Sequence, residues 1–144
     1  MHVKHTTPRS SNRIFMLTII ILIASLGLSL HADEVSSYRC YELEGAKIVA
    51  EDGTYLGTLD DSYASDSIYN EYSDHGSTYS DESLWNEYSD HGNDYSDESA
   101  FNEYASNPPV LLKDGEVIGR LTVKDYEYDS VDPRTVGEDC DWKD

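Results

Sequence analysis

Between Lys47 and Lys113 the sequence has no lysine and no arginine. The same 65 residues hold 15 Asp and Glu. Over all 144 residues there are 29 acids against 10 bases, a formal net charge of −19. A polyanion finds no cationic footprint on such a chain, which argues against a nucleic-acid partner. Cysteine is scarce, with two in all and no Cys-x-x-Cys pair, so a thioredoxin-type redox role has no support. Several motifs are missing as well: a Gly-rich phosphate loop, Gly-x-Ser-x-Gly, His-Glu-x-x-His and a Cys/His zinc framework. Carboxylates are plentiful, but nothing in the sequence marks a pair as buried or shifted, as acid/base work requires. The chain is therefore expected not to be an enzyme, with no catalytic and no cofactor-binding residue. An enzyme of unknown reaction stands only as a third alternative.

One long apolar run is present, and it lies near the N-terminus. Ile14 to Leu30 has 17 residues without a charge, behind a flank carrying Lys4, Arg9 and Arg13. His31, Ala32 and Asp33 follow. This is the layout of a secretory signal peptide over residues 1–32, with cleavage after Ala32. The alternative is an uncleaved signal anchor, in which case the run would be the chain's one link to a membrane. Either way, residues 33–144 are expected outside the cytoplasm, in the periplasm or beyond. Cleavage removes three cations and no anion, which takes the charge from −19 to −22.

Cys40 and Cys140 then lie near the two ends of the mature domain. In an oxidising compartment they are expected to form a disulfide. It would close a loop of about 100 residues, worth roughly 4–5 kcal/mol in the chain-entropy account.

The centre of the chain is repetitive. Residues 67–82 read SIYNEYSDHGSTYSDE and residues 83–98 read SLWNEYSDHGNDYSDE, a period of 16. A third copy begins at Ser99 and breaks at Asn107-Pro108-Pro109. Such units are modules that lean on their neighbours. The flanks resemble each other too. Asp52-Gly53-Thr54-Tyr55-Leu56-Gly57-Thr58-Leu59 parallels Asp114-Gly115-Glu116-Val117-Ile118-Gly119-Arg120-Leu121. Asp-Gly between apolar runs is a hairpin signal, here pointing to type I′ turns, with Lys113 and Glu116 facing each other as an opposite-charge pair. The expected fold is mainly β. Two hairpins, over 35–60 and 108–130, form a small unit around the repeats at 61–107, with a tail at 131–144. Within a repeat, Ser80 reads as a helix N-cap, with Tyr79 and Leu84 as a hydrophobic staple. Each unit is thus a short helical turn or, alternatively, an irregular loop. Tyr69, Tyr72, Tyr79, Trp85, Tyr88, Tyr95, Phe101 and Tyr104 are expected to pack onto the hairpins.

The mature chain has two histidines, His75 and His91, at equivalent repeat positions in Asp-His-Gly. They are read as duplicated turn residues. The alternative is a transition-metal site if the repeats stack in register. The acidic window is read as a solvated surface, with extracellular Ca²⁺ binding as the alternative. The metal candidates on these readings are Asp74, His75, Asp90, His91, Asp94, Asp97 and Glu98.

Tyr79 to Gly92 follows the pattern Tyr-(Ser/Ala)-x-x-Ser-x-x-Asn-x-Tyr-x-x-x-Gly. It resembles small uncharacterised secreted bacterial proteins in which a Gly- and Leu-containing segment, here Gly53 to Leu59, precedes tandem Tyr-rich units. This chain has Glu71 and Glu87 where those often have Pro, and Ser73 and Ser89 where they often have Gly. The resemblance implies export and a repeat-containing module, and no activity. The expected role is a non-enzymatic interaction or structural module, secreted or bound to an envelope component. An extracellular calcium-binding repeat module is the alternative.

Overall fold

The structure, a computed structural model, describes residues 39–124 and 129–143. The chain divides into Met1–Ser36 and Ser37–Asp144, and every described residue belongs to the second part. The signal segment and its cleavage point lie outside the described residues.

The architecture is mainly β. Strands β1 (Ala46–Val49), β2 (Tyr55–Leu59), β3 (Val110–Lys113), β4 (Glu116–Leu121) and β5 (Ser130–Val131) form one sheet in the order β2-β1-β3-β4-β5. The pairs β1–β2, β1–β3 and β3–β4 are antiparallel, while β4–β5 is parallel. A short helix, α1, covers residues 39–43, and α2 covers Val136–Asp139.

The two halves of the sheet are built alike. β2 carries an irregularity at Leu56, where Ile48 pairs with Gly57 and Val49 with Tyr55. β4 carries one at Ile118, where Leu111 pairs with Gly119 and Leu112 with Val117. One extra residue changes which side chains share a face, so Leu56 and Leu59 are both buried despite an odd spacing. The glycine after each bulge admits a parallel neighbour at close range. A Cβ at Gly57 would meet the Asp66 carbonyl oxygen at 2.7 Å, and one at Gly119 would meet that of Asp129 at 2.9 Å. The neighbours are Asp66-Ser67-Ile68 and Asp129-Ser130-Val131, joined by Thr58 N–H to Asp66 O (2.8 Å) and Arg120 N–H to Asp129 O (3.0 Å).

The turns differ. Asp114 and Gly115 both have positive φ (53° and 83°), the type I′ arrangement. In the first hairpin Gly53 has φ 90° and Asp52 is not left-handed. Gly53 N–H donates to Ala50 O and Ala50 N–H to Thr54 O. This three-residue connection, closed by a left-handed glycine, replaces the expected type I′ turn. Lys113 and Glu116 are cross-strand partners, but the Lys113 ammonium turns away. It donates to the carbonyls of Tyr41, Glu42 and Glu44 at 2.9–3.0 Å, satisfying the open C-terminal end of α1.

The segment between the hairpins is neither helical nor irregular. Its backbone N–H groups donate back to carbonyls three residues earlier: Asn70 to Ser67, Ser73 to Asn70, Ser80 to Ser77, Ser83 to Ser80, Asn86 to Ser83 and onward. Once per unit the step is four residues, Ser77 to Ser73 and Asn93 to Ser89. Steps of 3, 3, 4, 3 and 3 make the period of 16. At nearly every step the Ser or Asn side-chain oxygen accepts the N–H two residues on, as at Ser83 to Trp85 (3.1 Å) and Asn86 to Tyr88 (3.0 Å). These are Ser and Asx turns in series. Each closes a bend locally, so i→i−4 bonding never propagates and Ser80 caps no helix. Inside the coil, Asn70, Asn86 and Asn102 donate Nδ2–H to the carbonyls of Ala64, Ser80 and Ser96 at 2.9–3.1 Å. The longer step needs glycine. A Cβ at Gly92 would lie 2.2 Å from the Asn86 carbonyl oxygen, and at Gly76 it would meet Asn70 O in the same way.

The coil stacks on the sheet through the second residue of one triplet per unit. Ile68, Leu84 and Ala100 are buried in one cluster with Leu43, Ile48, Leu56, Leu59, Leu111 and Leu121. Its first turn pairs with β2 at Thr58–Ser67. Its last is tied beyond β4 by Val123 N–H to Ala100 O. The C-terminal segment closes the other side, with Tyr69 Oη donating to Pro133 O (3.0 Å) and Ser62 N–H to Trp142 O (2.8 Å).

Candidate functional site

Aromatic residues take the third place of most triplets, because that place faces away from the Ser/Asn spine. They split into two classes. Tyr69, Trp85 and Phe101 are partly buried and form a tilted stack, with ring centroids 6.2 Å and 5.3 Å apart. The Trp85 indole N–H also donates to Ile68 O in the coil before. Tyr63, Tyr79 and Tyr95 form a column at the 16-residue period, exposed by 83%, 93% and 92%. Tyr72, Tyr88 and Tyr104 form a second, exposed by 91%, 88% and 79%. The expected packing of all eight repeat aromatics onto the hairpins therefore holds for three of them and fails for Tyr72, Tyr79, Tyr88, Tyr95 and Tyr104. The proposed staple fails with it, since Leu84 is buried and Tyr79 is in water. The inner stack lies between the columns. One recess is lined by Tyr63, Tyr69, Tyr72 and Trp85, another by Tyr95, Phe101 and Tyr104.

Charge follows the same period. Glu71, Glu87 and Glu103 precede Tyr72, Tyr88 and Tyr104, and all three are exposed. Glu87 hydrogen-bonds the Tyr88 phenol and holds its pKa above the ordinary tyrosine value. The cations at the recesses come from the C-terminal segment and have their own partners. Arg134 is bound to Asp132 (2.6 Å), and Lys143 lies 3.9 Å from Glu138.

The sequence-derived metal candidates scatter. Asp74, Asp90, Asp94 and Asp97 are exposed, and the last two line the second recess. His75 packs edge-on against Tyr55 (centroids 5.0 Å apart), with Nδ1 3.3 Å from the Glu82 carbonyl oxygen. His91, one unit later, is buried at 8% exposure. Its Nδ1 lies 4.0 Å from Glu98 Oε2. Asp52, in the first hairpin turn, completes a group with these two, and one donor atom from each residue lies within 4.8 Å of the others. Asp52 was missed from sequence, because its 39-residue separation from His91 gives no spacing signal. The Thr54 backbone N–H, 2.9 Å from Asp52 Oδ1, holds this carboxyl below its usual pKa. Elsewhere, burial and then the Asp66 charge push the Tyr55 phenol up to about 12, and burial pushes Tyr69 up as well.

Comparison with family models, curated proteins and solved structures gives no match. The chain's chemistry is therefore read from its own surface. Cys40 and Cys140 are bonded, with Cα atoms 5.5 Å apart. A disulfide across 100 residues fits an oxidising extracellular or periplasmic location. Among the described residues no helix is long and apolar enough to cross a membrane.

Proposed function

We propose that this chain is an exported, non-enzymatic binding module, secreted or envelope-associated, that presents its tyrosine columns to a cationic polypeptide. The observation that supports this reading is the pair of columns, six tyrosines each at least 79% exposed. Large apolar side chains that stand in water in register form a contact surface rather than a core. Tyrosine brings contact area at a low cost in side-chain order, and aromatic faces attract cations. The second column carries a glutamate beside every tyrosine, so a Lys or Arg arriving there meets a carboxylate and a ring together. The absence of Lys and Arg between Lys47 and Lys113 removes competition from the repeats themselves.

The test is binding of residues 33–144 to immobilised Lys/Gly and Arg/Gly peptides, with a Ser/Gly peptide as control, at about 0.1 M salt. A triple Tyr72→Ser, Tyr88→Ser, Tyr104→Ser variant should keep its melting temperature. Exposed cation–π contacts are worth about 0.5–1 kcal/mol each, so its affinity should fall about 10- to 100-fold. Equal affinity of the triple variant would mean that charge alone attracts the peptide, and the tyrosine columns would then not be the binding surface.

A further inference from the structure

We infer that Asp52, His91 and Glu98 form a binding site for a divalent transition metal, Zn²⁺ being the ion that suits the donors best. The first observation is convergence. The carboxylate of a hairpin turn, the imidazole of the second coil and the carboxylate at the end of that coil offer donor atoms within 4.8 Å of one another. Among the described residues this is the one group of three such side chains. The second observation is independent of the acids. His91 is 92% buried, and its Nδ1 has no hydrogen-bond partner among the described residues. The nearest carboxylate oxygen, on Glu98, is 4.0 Å away, beyond hydrogen-bond reach. A buried polar atom left without a partner is costly and uncommon in native proteins. As a metal ligand, the same nitrogen would direct its lone pair at a cation between two carboxylates.

The repeat supplies an internal comparison. His75 is the equivalent residue one unit earlier. Its Nδ1 faces the Glu82 carbonyl rather than a carboxylate, and its ring lies against Tyr55. Duplication of Asp-His-Gly thus accounts for the presence of His91 but not for its surroundings. Those arise because the second coil sits opposite the β1–β2 turn, where Asp52 projects. Imidazole with two carboxylates is a borderline donor set that favours Zn²⁺ over Ca²⁺ or Mg²⁺, which prefer six or more oxygens. Donor atoms around tetrahedral zinc lie about 3.3 Å apart, given metal–ligand distances of about 2.0–2.2 Å. Asp52 and Glu98 would close by up to about 1.5 Å, which an exposed and a half-buried side chain can do by rotation. Three protein ligands leave a fourth position for water or an incoming donor.

The experiment is a titration of Zn²⁺ into metal-free residues 33–144, with about 1 mM Ca²⁺ and Mg²⁺ present to occupy the exposed acids. Calorimetry reads stoichiometry, and NMR reads the two histidine rings. One site in the micromolar range is expected, with the His91 ring shifted and the His75 ring unmoved. Asp52→Asn, on an exposed turn, should fold normally and bind at least about tenfold more weakly. His91→Gln should abolish the site. Should that variant fail to fold, the His91 resonances and Asp52→Asn still decide the matter. Several weak sites, equal shifts of both rings, or an unchanged affinity in Asp52→Asn would overturn the inference. None of these outcomes bears on peptide binding at the tyrosine columns.

Discussion

Replacing Asn86 by alanine tests whether side-chain hydrogen bonds hold the coil together. Asn86 is buried and works in two directions. Its Nδ2 donates to Ser80 O at 3.1 Å, and its Oδ1 accepts from Tyr88 N–H at 3.0 Å. Alanine leaves a carbonyl and an N–H without these partners. Each such loss costs about 1–3 kcal/mol when the group stays buried. The Ser80 carbonyl keeps its bond from Ser83 N–H, and the Tyr88 N–H is near the surface and can turn to water, so each loss falls in the lower half of that range and the sum is about 2–4 kcal/mol. For a domain of roughly 100 residues, 1 kcal/mol moves the melting temperature by about 4 °C or slightly more. Asn86→Ala should therefore lower it by about 8–16 °C. Asn93 is the internal control. It is half-buried, and among the described residues it supplies one bond, Oδ1 to Tyr95 N–H at 2.8 Å. Asn93→Ala should cost about 1 kcal/mol, or about 4 °C. Asn86→Asp keeps the acceptor but loses the donor and buries a charge, so it should melt no higher than Asn86→Ala. The assay is calorimetry of the oxidised protein at fixed pH and salt. Equal shifts for Asn86→Ala and Asn93→Ala, or an Asn86→Ala loss below about 2 °C, would refute the claim that the inward asparagines carry the coil.

Changing both Cys40 and Cys140 to serine should destabilise by about 4–5 kcal/mol, read as a lower denaturant midpoint, and a loss under about 1 kcal/mol would mean the ends are held by packing alone. Phenol absorbance against pH should show Tyr55 titrating near 12; because its folded pKa is raised, its contribution to stability is complete below about pH 10 and lost between about 10 and 12, so melts should fall over that window. Raising NaCl should raise the melting temperature by screening the acids of the coil within a Debye length of about 10 Å at 0.1 M. If Ca²⁺ stabilises no more than Mg²⁺ at matched ionic strength, the acidic window is a solvated surface; a calcium-specific gain would mean sites beyond the one inferred above.

How much of this was legible in the sequence depends on the range of the interaction. The mainly β character followed from Asp-Gly between apolar runs, and the disulfide from two cysteines near the ends of a chain whose N-terminal run predicts an oxidising compartment. The sub-period of the repeat was also in plain view. Ser77, Ser80, Ser83, Asn86 and Ser89 recur every third residue, with an aromatic or acidic residue before most of them. A helical reading of Ser80-Asp81-Glu82 conceals this, because Ser is at once a good N-cap and a good turn former. What arbitrates is that Ser or Asn returns three residues later, again and again, where a helix would carry apolar residues on one stripe. Two features had no local signal. The bulges at Leu56 and Ile118 arise from cross-strand register. The Asp52–His91–Glu98 group arises from which coil lies opposite which hairpin.

The triplet coil separates support from display more fully than a strand or helix does. In a strand, every second side chain is committed to one face. In this coil the first place of each triplet is fixed as Ser or Asn by backbone bonding, and one second place per unit is fixed by the core at Ile68, Leu84 and Ala100. One third place per unit is committed as well, to the inward stack of Tyr69, Trp85 and Phe101, and His91 takes another; the remaining second and third places answer to no internal requirement. That is why ten acids can accumulate there over residues 67–104 without entering the core, and why six tyrosines can stand in water without loosening the fold. Coils of this kind still need ends, because the first and last have a neighbour on one side only. Asp66-Ser67-Ile68 on the β2 edge supplies one end, and the bond from Val123 N–H to Ala100 O supplies the other. The two hairpins with their matching bulges thus serve as caps, the disulfide holds the chain ends on the same unit, and the surface between them is set by sequence with few structural constraints.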